Sequence, residues 1–427
     1  MSPNRMISGL AAGVLTLLAG LPTLAQDLED AQLFAPADVS NYDGDQELKH
    51  GYFFRFDGLS WFIQKPQAAS IGLAPPNSRT VFYGNDATAQ VQTSSGDTSA
   101  LKSAQVEGSR FDFGYVGEYN GWFVSGYKLQ DQYQELWLNN ASVVLNDPVV
   151  GAFGERSLQY LVNRVVTGPY PYADQPNAPY VPANERLVNA PLNLNITAEN
   201  TVQNWGAEAN YIRRFKTFHD GGNFDLYLGG RYFQFNEEFY VQTSAPTTYE
   251  PYNTAAIVAY LPRELDNSYW NTEVQNQIVG PQIGGRYYKN WGRFQLSLEG
   301  KFTAGFNEQT WRQDGEFASR IVPQVTTAVT GTQVSNTGVL NNFNATGFSN
   351  TATATQFSPL VELRAEARYE LFQAVSLHAG WSGIWVDGIA RASQSIYYSL
   401  PSMGIITSNN NTSVFINGVT FGVDVNY

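Results

Sequence analysis

Five charged residues of alternating sign occupy every second position of one short stretch. They are Glu362, Arg364, Glu366, Arg368 and Glu370. In an extended strand such residues share one face and stand about 6.6–6.8 Å apart. A ladder of this kind can brace facing walls or line a passage for ions, because each charge can be neutralised along its own strand or from the wall opposite. What the ladder does therefore depends on the strand that carries it and on the residues of the wall opposite.

The residues between these charges are apolar, which predicts a strand with one polar and one apolar face. The same period of two runs through "RFQLSLEGKFTAGF", and helical periodicity is almost absent after residue 25. The alternation predicts ten strands, near residues 51–64, 109–119, 122–132, 202–215, 223–236, 274–289, 293–306, 358–371, 375–388 and 414–427. The chain is therefore expected to be all-β.

Short and long connections alternate between these segments. The long ones lie near residues 65–108, 133–201, 237–273, 307–357 and 389–413. Outer-membrane barrels have short periplasmic turns and long external loops, so the pattern predicts a transmembrane antiparallel up-and-down β-barrel of about ten strands. Twelve strands remain an alternative if "TVFYG" and "AQVQTS" add a hairpin. A soluble sandwich is disfavoured because its strands are shorter and its loops need not alternate in length.

Charged residues concentrate on the faces that this barrel turns inward. The predicted lumen-lining residues are the five of the ladder together with Arg110, Asp112, Lys128, Arg231, Glu299 and Lys301. Arg55, Asp57, Glu208 and Asp424 alternate onto the same faces. Ten strands leave little open space, so a salt-bridged interior with at most a narrow pore is expected.

Two turns predict the strand register. In "YNGW" a three-residue loop would pair Glu118 with Trp122, placing Asp112 opposite Lys128 inside and Phe113 beside Tyr127 outside. In the second, the loop Phe372-Gln373-Ala374 would pair Leu371 with Val375. Inside, this register sets Glu370, Arg368 and Glu366 opposite Ser376, His378 and Gly380, respectively.

The two ends of the sequence suggest export and membrane assembly. Residues 1–25 have the basic start, apolar run and small residues of a cleaved signal peptide. Residues 26–50 form an acidic linker that is expected in the periplasm, and residues 51–427 form the barrel. At the other end, Phe421, Val423, Val425 and Tyr427 alternate up to a terminal aromatic residue. These four are expected to anchor the last strand in the bilayer and to be read by the barrel-assembly machinery.

The composition excludes several classes of function. The chain has no cysteine and a formal net charge of −13, which argues against disulfides and against nucleic acid as a partner. Its three histidines lie in different parts of the predicted wall, and no hydrolase, zinc or phosphate-loop motif is present. The acidic "DGDQE" is typical of a solvated linker rather than of a calcium loop. No enzymatic activity, cofactor or metal is expected.

Several segments also resemble a known family. "GYFFRFDGLSWFIQ", "TVFYGN", "FDFGYVGEYNGWFVSGYKL" and "ELRAEARYELFQAVSLHAGWSGIWVDGIARASQSIYYS" resemble a planctomycete outer-membrane family, the putative β-barrel porin family seven. The resemblance covers most of the chain after the signal peptide and is most specific at its two ends. It implies an outer-membrane barrel and, loosely, a porin.

Two functions follow from these patterns. The first is porin-like passage of ions or very small solutes through a narrow charged lumen in the outer membrane of a Gram-negative-type envelope. The alternative is a structural or adhesive closed barrel that displays its long loops without transport. The sequence leaves the oligomeric state and the solute open.

Overall fold

Ten long strands account for most of the chain that the structure describes. The computed structural model describes residues 50–73, 79–83, 86–93, 96–141, 143–146, 155–158, 160–166, 186–192, 194–215, 222–244, 268–316, 347–372, 374–399, 402–408 and 410–427. The predicted signal peptide and the acidic linker up to residue 49 lie outside these ranges. The ten strands are β1 (Gly51–Ile63), β2 (Ala104–Val116), β3 (Asn120–Leu129), β4 (Leu194–Arg214), β5 (Gly222–Ser244), β6 (Tyr269–Trp291), β7 (Phe294–Glu316), β8 (Gly347–Phe372), β9 (Val375–Ala390) and β10 (Asn411–Asn426).

These ten strands close into a ring in which neighbours along the chain pair antiparallel. β10 pairs with β1, so the sheet has no open edge at the level where the ring is complete. The closing seam ends at Tyr427, whose N–H donates to the Tyr52 oxygen at 2.8 Å, while the Tyr52 N–H donates to the Tyr427 oxygen at 3.0 Å. The predicted all-β, antiparallel up-and-down barrel of ten strands is confirmed. Among the described residues no helix is long and apolar enough to cross a membrane.

The remaining strands belong to the long connections, at the end of the barrel opposite the short turns. The strand Gln132–Ala141 continues β3 and pairs with the upper half of β4. The hairpin behind the twelve-strand alternative does form, but in a separate sheet composed of Arg79–Tyr83, Asp86–Thr93, Val143–Asn146 and Glu155–Leu158. Tyr160–Val166 pairs with Arg186–Leu192, Ile396–Tyr397 pairs with Gly404–Ile405, and Ala392–Gln394 form one 3₁₀ turn. Several predicted loop boundaries were wrong, because β4–β8 extend far into those segments.

The pairing also fixes the tilt of the strands. The tilt can be read by stepping from each residue to its paired residue on the next strand. Starting at Phe294, this path goes once around the ring and returns to β7 at Phe306. It passes through Tyr369, Leu377, Val423, Phe56, Phe111, Gly126, Ala207, Tyr232 and Val279. A shear of about twelve residues over ten strands gives a tilt of about 40°, a rise of about 2.5 Å per residue along the axis and a backbone radius of about 10 Å. Side chains from opposite walls can therefore meet in the middle.

The outer face of the barrel changes character along its height. On β7 the outward residues are apolar from Phe294 to Phe306 and polar from Glu308 onward. On β8 they are apolar from Leu371 to Phe357 and polar beyond it. The apolar part forms a belt of the kind that faces lipid. β8 continues ten residues past Phe357, which places its far end about 25 Å above the belt.

A pair of substitutions on β8 tests this boundary. Ala365 faces outward in the belt, whereas Thr353 faces outward above it. We expect Ala365→Arg to lower the free energy of unfolding in lipid vesicles by about 2–4 kcal/mol, because the cation must lie in hydrocarbon. Thr353→Arg should change it by less than about 0.5 kcal/mol. Equal effects in urea titrations would show that the belt is misplaced.

The predicted register of the first turn was wrong, and with it the position of Lys128. Tyr115 pairs with Trp122, and the Gly117 N–H donates to the Asn120 oxygen at 2.7 Å, so the connection is a four-residue turn. Asp112 therefore faces Ser125 rather than Lys128. The pairing is displaced by three residues, an odd number, which turns β3 over. Lys128 is exposed on the outer face, and Tyr127 points inward.

The register predicted at the β8–β9 turn was correct on the inner face. Glu370, Arg368 and Glu366 pair with Ser376, His378 and Gly380. The predicted loop was wrong by one residue, because an irregularity after Glu370 lets Phe372 rather than Leu371 pair with Val375. The ladder thus keeps its expected neighbours.

Candidate functional site in the barrel interior

Ten of the eleven predicted lumen residues lie inside the wall. They are Arg110, Asp112, Arg231, Glu299, Lys301, Glu362, Arg364, Glu366, Arg368 and Glu370. All are buried except Arg368 and Glu370, which lie nearest the short turns and are half-buried. The eleventh, Lys128, is outside. The buried charges contact charges from other strands, so they fill the interior instead of bordering it.

Arg110 on β2 is the centre of this network. Its guanidinium donates to Asp112 on its own strand at 2.9 Å, to Glu208 on β4 at 3.2 Å and to Glu362 on β8 at 3.1 Å. The side chain is 2% exposed. Because β4 and β8 lie on different sides of the barrel, this single cation crosslinks three parts of the wall. The planar fork of arginine suits several simultaneous carboxylate contacts.

Two carboxylates extend the network around the ring. Glu362 also accepts a hydrogen bond from Arg231 on β5. Glu208 accepts from the Lys301 ammonium at 2.7 Å, and Lys301 lies 2.9 Å from Glu299. We call this network, with Arg55, Asp57, Asp112, Arg364, Glu366, Arg368, His378 and Asp424, the charged layer. It joins strands through the barrel axis as well as along the sheet.

Arg55 and Asp424 connect the charged layer to the closing seam. The Arg55 guanidinium donates to Asp424 on β10 at 2.6 Å and to Glu366 on β8 at 3.1 Å. Arg368 lies 3.0 Å from the second oxygen of Asp424. Gly380 stands beside Glu366 in the sheet, and a Cβ there would lie 2.8 Å from the glutamate side chain. The space beside Gly380 is thus occupied by Glu366, which Arg55 reaches from β1.

His378 lies between two carboxylates. Its Nδ1 is 3.0 Å from Asp424 and its Nε2 is 2.7 Å from Asp57. β10 separates Asp57 from His378, and the residue between them is Gly422, where a Cβ would lie 2.6 Å from the Asp57 oxygen. The alternation of residues along each strand does not predict this contact. The signal that could have found it is a glycine in the middle of a strand, directly between an acid and a histidine.

The charges of this layer nearly balance. It holds the cations Arg55, Arg110, Arg231, Lys301, Arg364 and Arg368 and the carboxylates Asp57, Asp112, Glu208, Glu299, Glu362, Glu366 and Asp424. An imidazole that donates from both nitrogens is positively charged. With that form of His378 the layer holds seven positive and seven negative groups. Such mutual pairing is what allows buried charges to persist in a folded wall.

An apolar layer lies directly above the charged layer, towards the long connections. It consists of sixteen buried side chains: Leu59, Trp61, Ile63, Val106, Tyr127, Leu129, Val202, Phe233, Phe235, Ile278, Leu360, Ile384, Val386, Ile389, Val414 and Ile416. Nine of the ten strands contribute to it, all but β7. Trp61 and Tyr127 pack with ring centroids 5.6 Å apart. Apolar side chains that meet across a barrel of this radius exclude water from its axis.

The last residues of β9 and the segment that follows them fold into the mouth above the apolar layer. The Arg391 guanidinium binds Glu237 on β5 through two hydrogen bonds of 2.7 and 3.0 Å. The Gly388 oxygen accepts from Asn307 at 3.0 Å and from Gln309 at 2.9 Å, both on β7. Gly388 has a φ of +72°, a conformation that glycine adopts without strain. These bonds hold the segment against the inner side of the wall.

Tyr398, further along this segment, packs into a second buried apolar cluster. Its ring meets that of Trp270 edge to face at 6.2 Å, in an apolar cluster that also contains Trp311 and Phe348. Burial raises the pKa of the Tyr398 phenol well above its usual range, so the group stays neutral. The external connection is therefore part of the folded interior.

The histidine of the charged layer is held on both sides. Both nitrogens of His378 are occupied by carboxylates. No group of three or more His, Asp and Glu side chains in this part of the chain is placed to hold a metal ion. The arrangement can brace the wall and screen charge.

The match to a protein family covers nearly the whole barrel. Residues 53–427 match a family described as putative beta barrel porin-7 (BBP7). The chain belongs to this family. That assignment agrees with the resemblance drawn from sequence segments at both ends of the barrel. No curated protein matches this BBP7 chain.

The solved structures that resemble this chain are only distantly similar to it. The outer membrane protease OmpT from Escherichia coli is 7% identical, with 90% of this chain and 100% of that chain covered and a TM-score of 0.41. A Pseudomonas aeruginosa FadL homologue is 8% identical, with 92% and 95% covered and a TM-score of 0.25. The Ralstonia pickettii toluene transporter TbuX is 8% identical, with 89% and 90% covered and a TM-score of 0.14. At these values none of the three indicates an activity for this chain.

Proposed function

We propose that this BBP7 chain is a closed barrel of the outer membrane, which anchors an extracellular β-structure and neither conducts solutes nor catalyses a reaction. The observation that carries the proposal is the apolar layer, to which nine strands contribute across the axis. A hydrated path must pass between side chains that are no more than 6% exposed. The paired charges below this layer act as braces.

The strands above the belt supply the part that is displayed. β4–β8 rise beyond the belt with mainly polar outward residues, among them Glu199, Glu238 and Glu273. Trp137 and Tyr133 on the strand Gln132–Ala141 are 65% and 56% exposed there. Exposed Trp and Tyr residues are enriched among the residues that dominate binding at protein interfaces. We infer a structural or adhesive role for this part of the chain.

Electrical recording separates this proposal from porin-like passage. Purified protein in planar bilayers should stay silent across voltages and salt concentrations, after insertion has been verified by heat-modifiable gel migration. Steady small steps would contradict the closed barrel. If steps are seen, Arg110→Glu distinguishes a pore from a leak, because a change of sign in the charged layer alters the ion selectivity of a real lumen passage but not of a membrane defect.

We also propose that the last strand carries the assembly signal. Phe421, Val423 and Val425 face lipid. Tyr427 is 98% exposed and lies at the end of the barrel that carries the short turns. Aromatic residues favour this interface. Tyr427→Asp should lower the heat-modifiable, assembled fraction in the outer membrane severalfold, while Asn426→Asp, an inward neighbour, serves as the charge control. Unchanged assembly of the Tyr427 variant would remove the proposed role.

A further inference from the structure

The apolar belt is much shorter on β2 and β3 than on the opposite wall. On β2 its outward residues run only from Tyr115 to Phe111, and on β3 only from Trp122 to Gly126. These stretches are about 10 Å tall, against about 36 Å between Leu371 and Phe357 on β8. A tilted barrel does not explain the difference, because the belt on β2 and β3 is shorter at both ends.

Polar and small residues replace the missing belt. Above Phe111 the outward positions of β2 are Ser109 and Glu107, and above Gly126 the next on β3 is Lys128. On neighbouring β1 the outward residues at this height are Gly58 and Ser60, and the exposed Phe62 follows above them. Glu107 and Lys128 are both exposed. At this height the opposite wall presents Phe302 and Val361 to lipid, so one side of the barrel offers lipid chains a surface that they solvate poorly.

The two charges lie at nearly the same height. Counting residues along the pairing path places Glu107 about 25 Å and Lys128 about 23 Å above Phe294 along the barrel axis. The two residues are on adjacent strands. Seen from outside the barrel, Glu107 on β2 lies to one side of the boundary between these strands, and Lys128 on β3 lies to the other side. A two-fold rotation about the membrane normal keeps every height and exchanges the two sides. It therefore places Glu107 of one copy opposite Lys128 of the other, twice.

We propose that the outer face of β1–β3 binds a second copy of this chain in a two-fold symmetric dimer. The face is complementary to itself, as such an interface requires. Gly58, Ser60 and Ser109 allow the two walls to approach closely, and Phe111 and Phe113 below them supply aromatic contact. Each outward lysine gains a carboxylate partner where lipid would offer none. This also accounts for an outward Lys128 that the sequence alone led us to place inside.

Cross-linking from single cysteines tests the contact. The chain has no native cysteine, so Ser109→Cys places one thiol close to the two-fold axis. Ala304→Cys is the matched control, since it faces lipid at a similar height on β7. In lipid nanodiscs or native outer membranes, a short bismaleimide should link the Ser109→Cys protein into dimers at least tenfold more than the Ala304→Cys protein.

Charge reversal makes the test specific. In the Ser109→Cys background, Lys128→Glu or Glu107→Lys alone sets like charges opposite each other and should lower the dimer yield at least tenfold. The double exchange Glu107→Lys/Lys128→Glu should restore it. Mixing the two single variants should give heterodimers, because each supplies the sign that the other lacks.

Two results would overturn the dimer. One is cross-linking of folded Ser109→Cys protein no greater than that of the Ala304→Cys control, which would leave lipid or a different protein on this face. The other is a dimer yield that neither single reversal changes, which would show that the charges do not meet. Heat-modifiable migration verifies folding in each variant.

Discussion

Arg110→Leu lowers the free energy of unfolding in lipid vesicles by about 3–5 kcal/mol, the loss expected when one partner of a buried ion-pair group is removed. Arg110 donates to Asp112, Glu208 and Glu362, and all three carboxylates are buried. Leucine fills part of the space but leaves each carboxylate with one fewer donor. Urea titration monitored by tryptophan fluorescence gives the value.

The control for this substitution lies on the outer surface. Arg312 is exposed above the belt, so Arg312→Leu should change the same quantity by less than about 0.5 kcal/mol. A small effect at Arg110 would mean that water reaches its carboxylate partners. That outcome would reopen the case for a hydrated lumen.

Trp61→Ala should be nearly as costly, by about 3–5 kcal/mol, because it opens a cavity in the apolar layer. Trp61 has no exposed surface and its Nε1 donates to Thr420 at 3.3 Å. Trp385 lies at a similar height but faces outward and is 38% exposed. Trp385→Ala should therefore cost only about 1 kcal/mol. Equal losses at the two positions would argue against a packed interior.

The same layer predicts an electrical phenotype. The double substitution Trp61→Ala/Phe235→Ala removes two of its large side chains, both fully buried. Water can then enter from the charged layer below. Small conductance steps should appear in bilayers where the parent protein is silent. Silence in a variant that is shown to be folded and inserted would mean that the segment at Arg391 seals the barrel by itself.

The strands were predictable because a barrel wall separates two environments along every strand. Where lipid lies on one side and buried charge on the other, as from Phe294 to Phe306, alternation reports the face of each residue directly. Beyond Phe306 both faces are partly polar, since water replaces lipid outside. The alternation weakens there, and the predicted strands therefore ended about ten residues too early.

The site was predictable in its membership but not in its geometry. Alternation identified the inner face of β8, and its turn to β9 fixed Arg368 opposite His378. Contacts through the axis, such as Arg110 with Glu362, depend on the ring closing with a particular shear, which no local pattern encodes. Lys128 was misplaced because the turn lies at residues 117–120 and not at residues 119–121, and the two registers differ by three residues, an odd number. The apolar layer was missed because its residues come from nine separate strands.

The seam between β1 and β10 has a consequence for the order of synthesis. β10 pairs with β9 on one side and with β1 on the other, so neither neighbour has its partner until the end of the barrel sequence has been made. Unpaired strand edges are not tolerated in hydrocarbon, and contacts between distant parts of a chain form slowly. We therefore expect insertion to be a late, concerted event in which β1 is kept away from lipid and from other edges until β10 is available. A circular permutant that joins Tyr427 to Gly51 and is cut at Gly292 would keep every wall contact and move this waiting edge to β6 and β7.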